Sequence, residues 1–392
     1  KTKALASFIR GAQRIGGFGG KSDLLATCQT YTGNPGCYIN NAKYIDESTP
    51  AKIKSTFSEW IDNTPYVLTI LPSDKLTTNE STVDRSEGIP YPTEKISFKF
   101  PTLQTAELSN GAKVVLAERK NIPLVEMNIQ FDFGYAQEDA DQIGYTNFMM
   151  DMLNEGTKKY SSLEFDEVLD SLGANMGFGS DLDTSYVSIS SLKSNLDETL
   201  DLAKEAIMFP TFPKTEIARI KNQTLAALRR AEFQPSSVAF RNIGNLLYGE
   251  NHPYGKLRIG SGATQAIESI NSKKLSNIHK LALNPNHVTF TVAGDITLDE
   301  IVSLLESKFG KWTSGSNTDL KNIPNVALPE RRKVYLINKP NAEQSYIVAG
   351  QLLPPSATPE EFKIDYMNYA IGGSFTSRLN MNLREDKSWS YG

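Results

Sequence analysis

Lys333-Val334-Tyr335-Leu336 repeats Lys113-Val114-Val115-Leu116 at an offset of 220 residues, and Tyr346-Ile347-Val348 stands at the same offset from Glu126-Met127-Asn128. A second pair of segments shares nearly that spacing. Ser48 to Ile53 followed by Val67-Leu68-Thr69-Ile70 is echoed by Asn271 to Leu275 followed by Val288-Thr289-Phe290-Thr291, about 221 residues on. One offset at two unconnected places points to tandem copies of a single folding unit, and so long a period excludes a solenoid of short repeats.

On this division, residues 1–72 are the tail of a preceding repeat domain and 73–95 are a linker rich in Ser, Thr, Asp, Glu and Pro. Residues 96–322 form the complete domain, and 323–392 are the truncated start of the final repeat. Within the complete copy, segments 114–117, 125–133 and 184–191 alternate apolar and polar residues, as half-buried antiparallel strands do. Helices are expected at 163–172, at 196–208, and at 214–233, the last lying between Pro213 and Pro235. A helix follows the second strand in both copies, over 144–155 and 359–383. The fold class is therefore α+β, with repeated domains of about 220 residues. Each is an antiparallel sheet with helices packed on one face and the other face open toward a cavity.

A formal charge of −4 is too small to indicate nucleic acid or a membrane surface, and no stretch approaches the roughly 18 apolar residues that span a bilayer. Cys28 and Cys37 flank the turn-rich Thr32-Gly33-Asn34-Pro35-Gly36. A local disulfide in an exported protein and two free thiols both fit that spacing. His252, His279 and His287 form no pair with zinc spacing, and His252 reads as a hydrogen-bonded loop residue. Gly16 to Ser22 looks like the end of a phosphate loop, but Ile15 stands where that pattern needs its first Gly. Asp139, Asp141, Asp151 and Glu155 read as a solvated start of a helix rather than a calcium loop.

Gly144 to Thr157 keeps the frame of a helix built on His-x-x-Glu-His. Positions i, i+3 and i+4 share a helix face, so two imidazoles there hold a zinc ion while the Glu acts on the metal-bound water. In this chain Asn147 stands for the first His, Met150 for the Glu and Asp151 for the second His. Asparagine is a poor zinc ligand, methionine takes no proton from water, and one carboxylate is not a site.

From about residue 100 onward the chain resembles the pitrilysin/insulinase family of zinc metallopeptidases, which includes the mitochondrial processing peptidases. Leu108-Ser109-Asn110-Gly111, Phe133-Gly134, Gly156-Thr157, Phe209-Pro210-Thr211-Phe212, His252-Pro253-Tyr254-Gly255 and Val292-Ala293-Gly294-Asp295 occur in family order. The resemblance puts the family's third zinc ligand, a Glu, at Ala227. With Asn147, Met150, Asp151 and Ala227 all substituted, it implies a non-catalytic C-terminal half with a LuxS/metallopeptidase-like fold. No zinc is then expected in this chain, and Zn²⁺ belongs to the missing catalytic half. Arg384 and Tyr391, seven residues apart, would reach into the partner's active site and hold the substrate backbone. The implied partners are the catalytic N-terminal half or subunit of the same peptidase and a peptide substrate, with a homodimer also compatible. The implied location is the periplasm or cell envelope of a bacterium. The alternative is a structural or assembly protein that keeps the fold without proteolysis; retention of Arg384 and Tyr391 argues for the peptidase.

Overall fold

The computed structural model describes residues 1–16, 18–62, 65–69, 99–256, 263–313 and 322–392. The expected linker at 73–95 lies outside them. Two compact units result: Lys1–Ala231 with Ile259–Asn322, and Glu232–Arg258 with Ile323–Gly392.

The first unit opens with four helices, α1 (Thr2–Gly11), α2 (Lys21–Thr32), α3 (Tyr38–Glu47) and α4 (Pro50–Trp60). Thr49 caps α4 by accepting the Lys52 N–H, and Pro50 supplies a preset first-turn φ. Ala6 of α1 is fully buried. It packs against Gly173, where a Cβ would come within 3.0 Å of the Ala6 Cβ and φ is +62°, so only glycine suits that turn. Cys28 and Cys37 form a disulfide with their Cα atoms 5.4 Å apart, joining the end of α2 to the start of α3.

Six strands follow: β1 (Gln104–Glu107), β2 (Lys113–Glu118), β3 (Leu124–Phe131), β4 (Asn175–Ser180), β5 (Ser185–Leu192) and β6 (Val288–Gly294). Their order in the sheet is β1-β2-β6-β3-β5-β4. Neighbours are antiparallel except β2 and β6, which run parallel. The exception follows from connectivity, since β2 and β3 are consecutive yet leave a slot that β6 fills, bonding to both.

Alternation gives the sheet two faces. Val125, Met127, Ile129 and Phe131 of β3 are buried while Glu126 and Gln130 are exposed. On β5, Val187 and Ile189 are buried while Tyr186 and Ser188 are exposed. Helices cover the apolar face: α5 (Tyr145–Asp151), α6 (Ser162–Ser171), α7 (Leu196–Met208) and α8 (Lys214–Phe233). After α9 (Pro235–Tyr248), which belongs to the second unit, come α10 (Thr264–Ser269), α11 (Ser272–Ala282) and α12 (Leu298–Phe309). Phe131, Phe165, Phe290 and Phe309 are fully buried in the one cluster they share with these helices. Burying each such side chain contributes about 1.5–3 kcal/mol. Ser161 with Glu164, and Thr297 with Glu300, form capping boxes that start α6 and α12.

In the second unit, His252 accepts the Tyr254 N–H at Nδ1 (3.0 Å) and has Nε2 on the Pro324 carbonyl at 2.9 Å. Its ring stacks on Tyr248. The expected strands around Lys333 and Tyr346 do not form: 333–338 and 345–350 carry no strand, and Val334, Leu336 and Ile347 are 96%, 94% and 88% exposed. Two strands with no apolar face against them are marginal. The single helix expected over 359–383 is broken. It runs as α13 (Glu361–Asn368), a π turn over Tyr369–Gly373, then α14 (Arg378–Asn380) and a second π turn over Met381–Asp386. Gly372-Gly373 weakens the helix there, and Ser377 restarts it as N-cap by accepting the Asn380 N–H.

Candidate functional site

Helix α5 is held at both ends. Gly144, with φ +102°, starts it, and the buried Glu138 carboxylate accepts the N–H groups of Gly144 and Thr146 at 2.7 and 2.6 Å. Negative charge at a helix N-terminus is favourable. Tyr145, Phe148 and Met149 anchor its inner side in the core. The expected helix over 144–155 stops at Asp151, and a turn carries the chain to Gly156.

Asn147, Met150 and Asp151 share one side of α5 but differ in depth. Asn147 is half-buried, Met150 fully buried and Asp151 exposed. Burial by the surrounding protein pushes the Asp151 carboxyl up to about 6, with Glu155 adding repulsion. The Asp151 side chain still meets solvent. Past α5, Glu155 pairs with Arg219 of α8 and accepts the Ser162 hydroxyl at 2.8 Å. Arg219 also donates to Glu216 at 2.6 Å.

Glu155 thus joins the end of α5 to α8, a role that its place in an acidic cluster concealed. The sequence signal was Arg219, one turn past Glu216 on α8. Ala227 is exposed on α8, about 12 Å further along the axis from Arg219. These residues do not fit a zinc ion. A core methionine, an alanine and a single exposed carboxylate cannot complete a tetrahedral N/O/S set, and no group of three or more His, Cys, Asp or Glu with metal-holding geometry occurs among the described residues.

The opposite face of the sheet holds a cavity of about 750 Å³, lined in part by Glu126, Asn128, Tyr186, Ser188, Ser190 and Thr291. Gly177 and Gly179 of the edge strand β4 make room for it. A Cβ on Gly179 would lie 2.6 Å from the Tyr186 hydroxyl, and one on Gly177 would lie 2.8 Å from Ser188 Oγ. Arg10 of α1 reaches the same wall, donating from Nε to Ser190 Oγ (2.8 Å) and from Nη2 to the carbonyls of Gly173 (2.6 Å) and Ser190 (2.9 Å). Ser190 Oγ in turn donates to Glu126 at 2.8 Å. Burial lowers the pKa of Arg10 and Glu126 opposes that shift.

Arg384 and Tyr391 come together in the second unit, where the guanidinium sits between the rings of Tyr391 and Phe375 and pairs with Glu385 at 3.3 Å. Such stacks orient the guanidinium plane.

Residues 113–258 match the family model described as Insulinase (Peptidase family M16), and residues 269–392 match the Peptidase M16 inactive domain. The chain is 25% identical over 283 residues to a protein of Bacillus subtilis named an uncharacterized zinc protease, YmxG, covering 72% of this chain and 67% of that one. It is 22% identical over 299 residues to the non-peptidase homolog YmxG of Helicobacter pylori, covering 74% and 68%. Among solved structures, a peptidase M16 inactive domain from Pseudomonas fluorescens superposes with a TM-score of 0.63 at 24% identity, over 74% of this chain and 69% of that one. The periplasmic protease PqqL from Escherichia coli gives 0.53 at 20% identity, over 57% and 25%. At these identities the two structures speak for the fold alone.

Proposed function

Because the chain belongs to the peptidase M16 (insulinase) family, we propose that it is the non-catalytic half of a zinc metalloendopeptidase. It contributes chamber wall and substrate binding, while a catalytic half or subunit of the same peptidase holds the Zn²⁺. One observation carries this reading: α5 keeps the family frame, yet the place of the general base is a methionine with no exposed surface. A side chain packed into the core cannot work on a water molecule. The open sheet face supports the wall role, since polar and apolar side chains together line a cavity of about 750 Å³ on it.

Within the assembled peptidase, Arg384 and Tyr391 donate hydrogen bonds to the scissile carbonyl oxygen as it gains charge, which lowers the barrier without a metal in this half. The existence of a structure of the first half of periplasmic PqqL supports a partner half and a cell-envelope location. The experiment is metal analysis and peptide hydrolysis on this chain alone, then hydrolysis with the catalytic half present. No zinc and no cleavage alone, with cleavage together, is the expected result. Stoichiometric zinc on Asn147 and Asp151 overturns it. The name of the Helicobacter pylori relative, a non-peptidase homolog, favours a second reading, an assembly protein with no proteolysis in any complex.

A further inference from the structure

Glu126 is the one carboxylate lining the open-face cavity among the described residues. A single acidic group in a pocket where Met127, Met176, Ile189 and Ala293 stand among the hydroxyls and amides would ordinarily draw cationic side chains. Here a cation is already supplied from outside the sheet. The Arg10 guanidinium is fixed by three hydrogen bonds, two to main-chain carbonyls and one to Ser190 Oγ, and Ser190 relays it to Glu126. Both carbonyl partners belong to the fold itself, so the guanidinium cannot swing away without losing part-buried bonds.

We propose that Arg10 sets the charge preference of this cavity: by compensating Glu126 across Ser190 it makes the pocket select uncharged stretches of extended polypeptide over lysine- or arginine-bearing ones. The inference rests on the chamber-wall reading, because the ligand it names is the peptide substrate. It assigns a specificity role to helix α1, which lies outside both family-model matches. Ser190 is the positioning residue that keeps the two charges one hydroxyl apart.

The test uses the full chain and a fluorescent extended peptide carrying one lysine, with twins bearing glutamine or glutamate in its place. Wild type is expected to bind the glutamine twin at least as well as the lysine peptide. Arg10→Gln should shift the lysine-to-glutamine ratio about fivefold toward lysine at low salt, the scale of an exposed ion pair, and salt should erase the gain. Adding Glu126→Gln to Arg10→Gln should abolish the shift. Should Arg10→Gln fail to fold, Glu126→Gln alone decides: it leaves Arg10 uncompensated and should favour the glutamate peptide by a similar factor. A folded Arg10→Gln or Glu126→Gln chain whose ratios match wild type overturns the proposal alone. A chain that binds none of the peptides overturns it together with the chamber-wall reading.

Discussion

Arg384 lies against Tyr391, its guanidinium carbon 4.5 Å from the ring centroid, with Phe375 at 4.8 Å completing a stack around it. Tyr391 is nonetheless 86% exposed. Tyr391→Phe therefore preserves the stack and removes only the hydroxyl, which separates donation from packing. In the assembled peptidase, Tyr391→Phe and Arg384→Ala should each lower kcat/KM about 100-fold with zinc content unchanged. Loss of the stack in Arg384→Ala costs only about 0.5–1 kcal/mol of stability, so unfolding midpoints should barely move. Unchanged hydrolysis in both variants removes the substrate-binding role.

Met150→Glu places a carboxyl where no solvent reaches. Breaking the core this way should cost about 3–5 kcal/mol at neutral pH. The sign with pH follows from burial, which raises the folded-state pKa of the new carboxyl above its unfolded value of about 4.3. The deficit should be smallest below that value and grow as pH rises through the folded pKa. Denaturant unfolding of Met150→Glu beside Met150→Gln at acidic and neutral pH measures it; a pH-independent deficit contradicts the assignment.

Asp151 follows the same sign more weakly. Its carboxyl is raised from 3.8 to about 6, so its contribution to stability is fully present below the unfolded value and is lost as pH rises through about 6. Asp151→Asn should be more stable than wild type at pH 7 and level with it in acid. Solvent screening at this exposed site keeps the difference under about 1 kcal/mol. Unfolding free energies across that pH range check the crossover.

Reducing the disulfide Cys28–Cys37, which spans a separation of nine residues, should release about 2.5 kcal/mol of loop-closure stabilisation. The effect should stay local. Amide exchange is expected to quicken in α2 and α3 and to remain slow in β3, β5 and β6, which carry the core of the sheet. Uniform loss of protection would tie the N-terminal helices to global folding.

Where burial writes a period into the residues, the sequence reads out the fold. Helix α7 occupies 196–208 and α8 runs from Lys214 to Phe233 as the bracketing prolines dictate, and β2, β3 and β5 alternate cleanly. Strand β4 escaped notice because Asn175-Met176-Gly177-Phe178-Gly179-Ser180 spends two of its three open-face positions on glycine, which leaves only Asn175 as a polar side chain to alternate with. The parallel pairing of β2 with β6 is set by a contact across some 175 residues, beyond any local pattern. The segments around Lys333 and Tyr346 match true strands in composition, but composition cannot supply the neighbour a strand needs. At the site, substitution of Asn147, Met150, Asp151 and Ala227 was visible in the motif. An open sheet face toward a cavity was expected from the layer pattern, but its lining was not, because β3, β4, β5 and β6 supply it together.

Met150 gives the silence of this helix a direction. Its thioether fills space that the core has closed around, so regaining the glutamate means putting a charge into oil before any ligand exists to use it. Asn147 and Asp151 could be exchanged at modest cost, yet neither alone makes a site. Every single-step path back to zinc chemistry through position 150 crosses a less stable protein with nothing gained on arrival. Packing works here as a ratchet, holding the fold on the inactive side more firmly than the loss of any one ligand would.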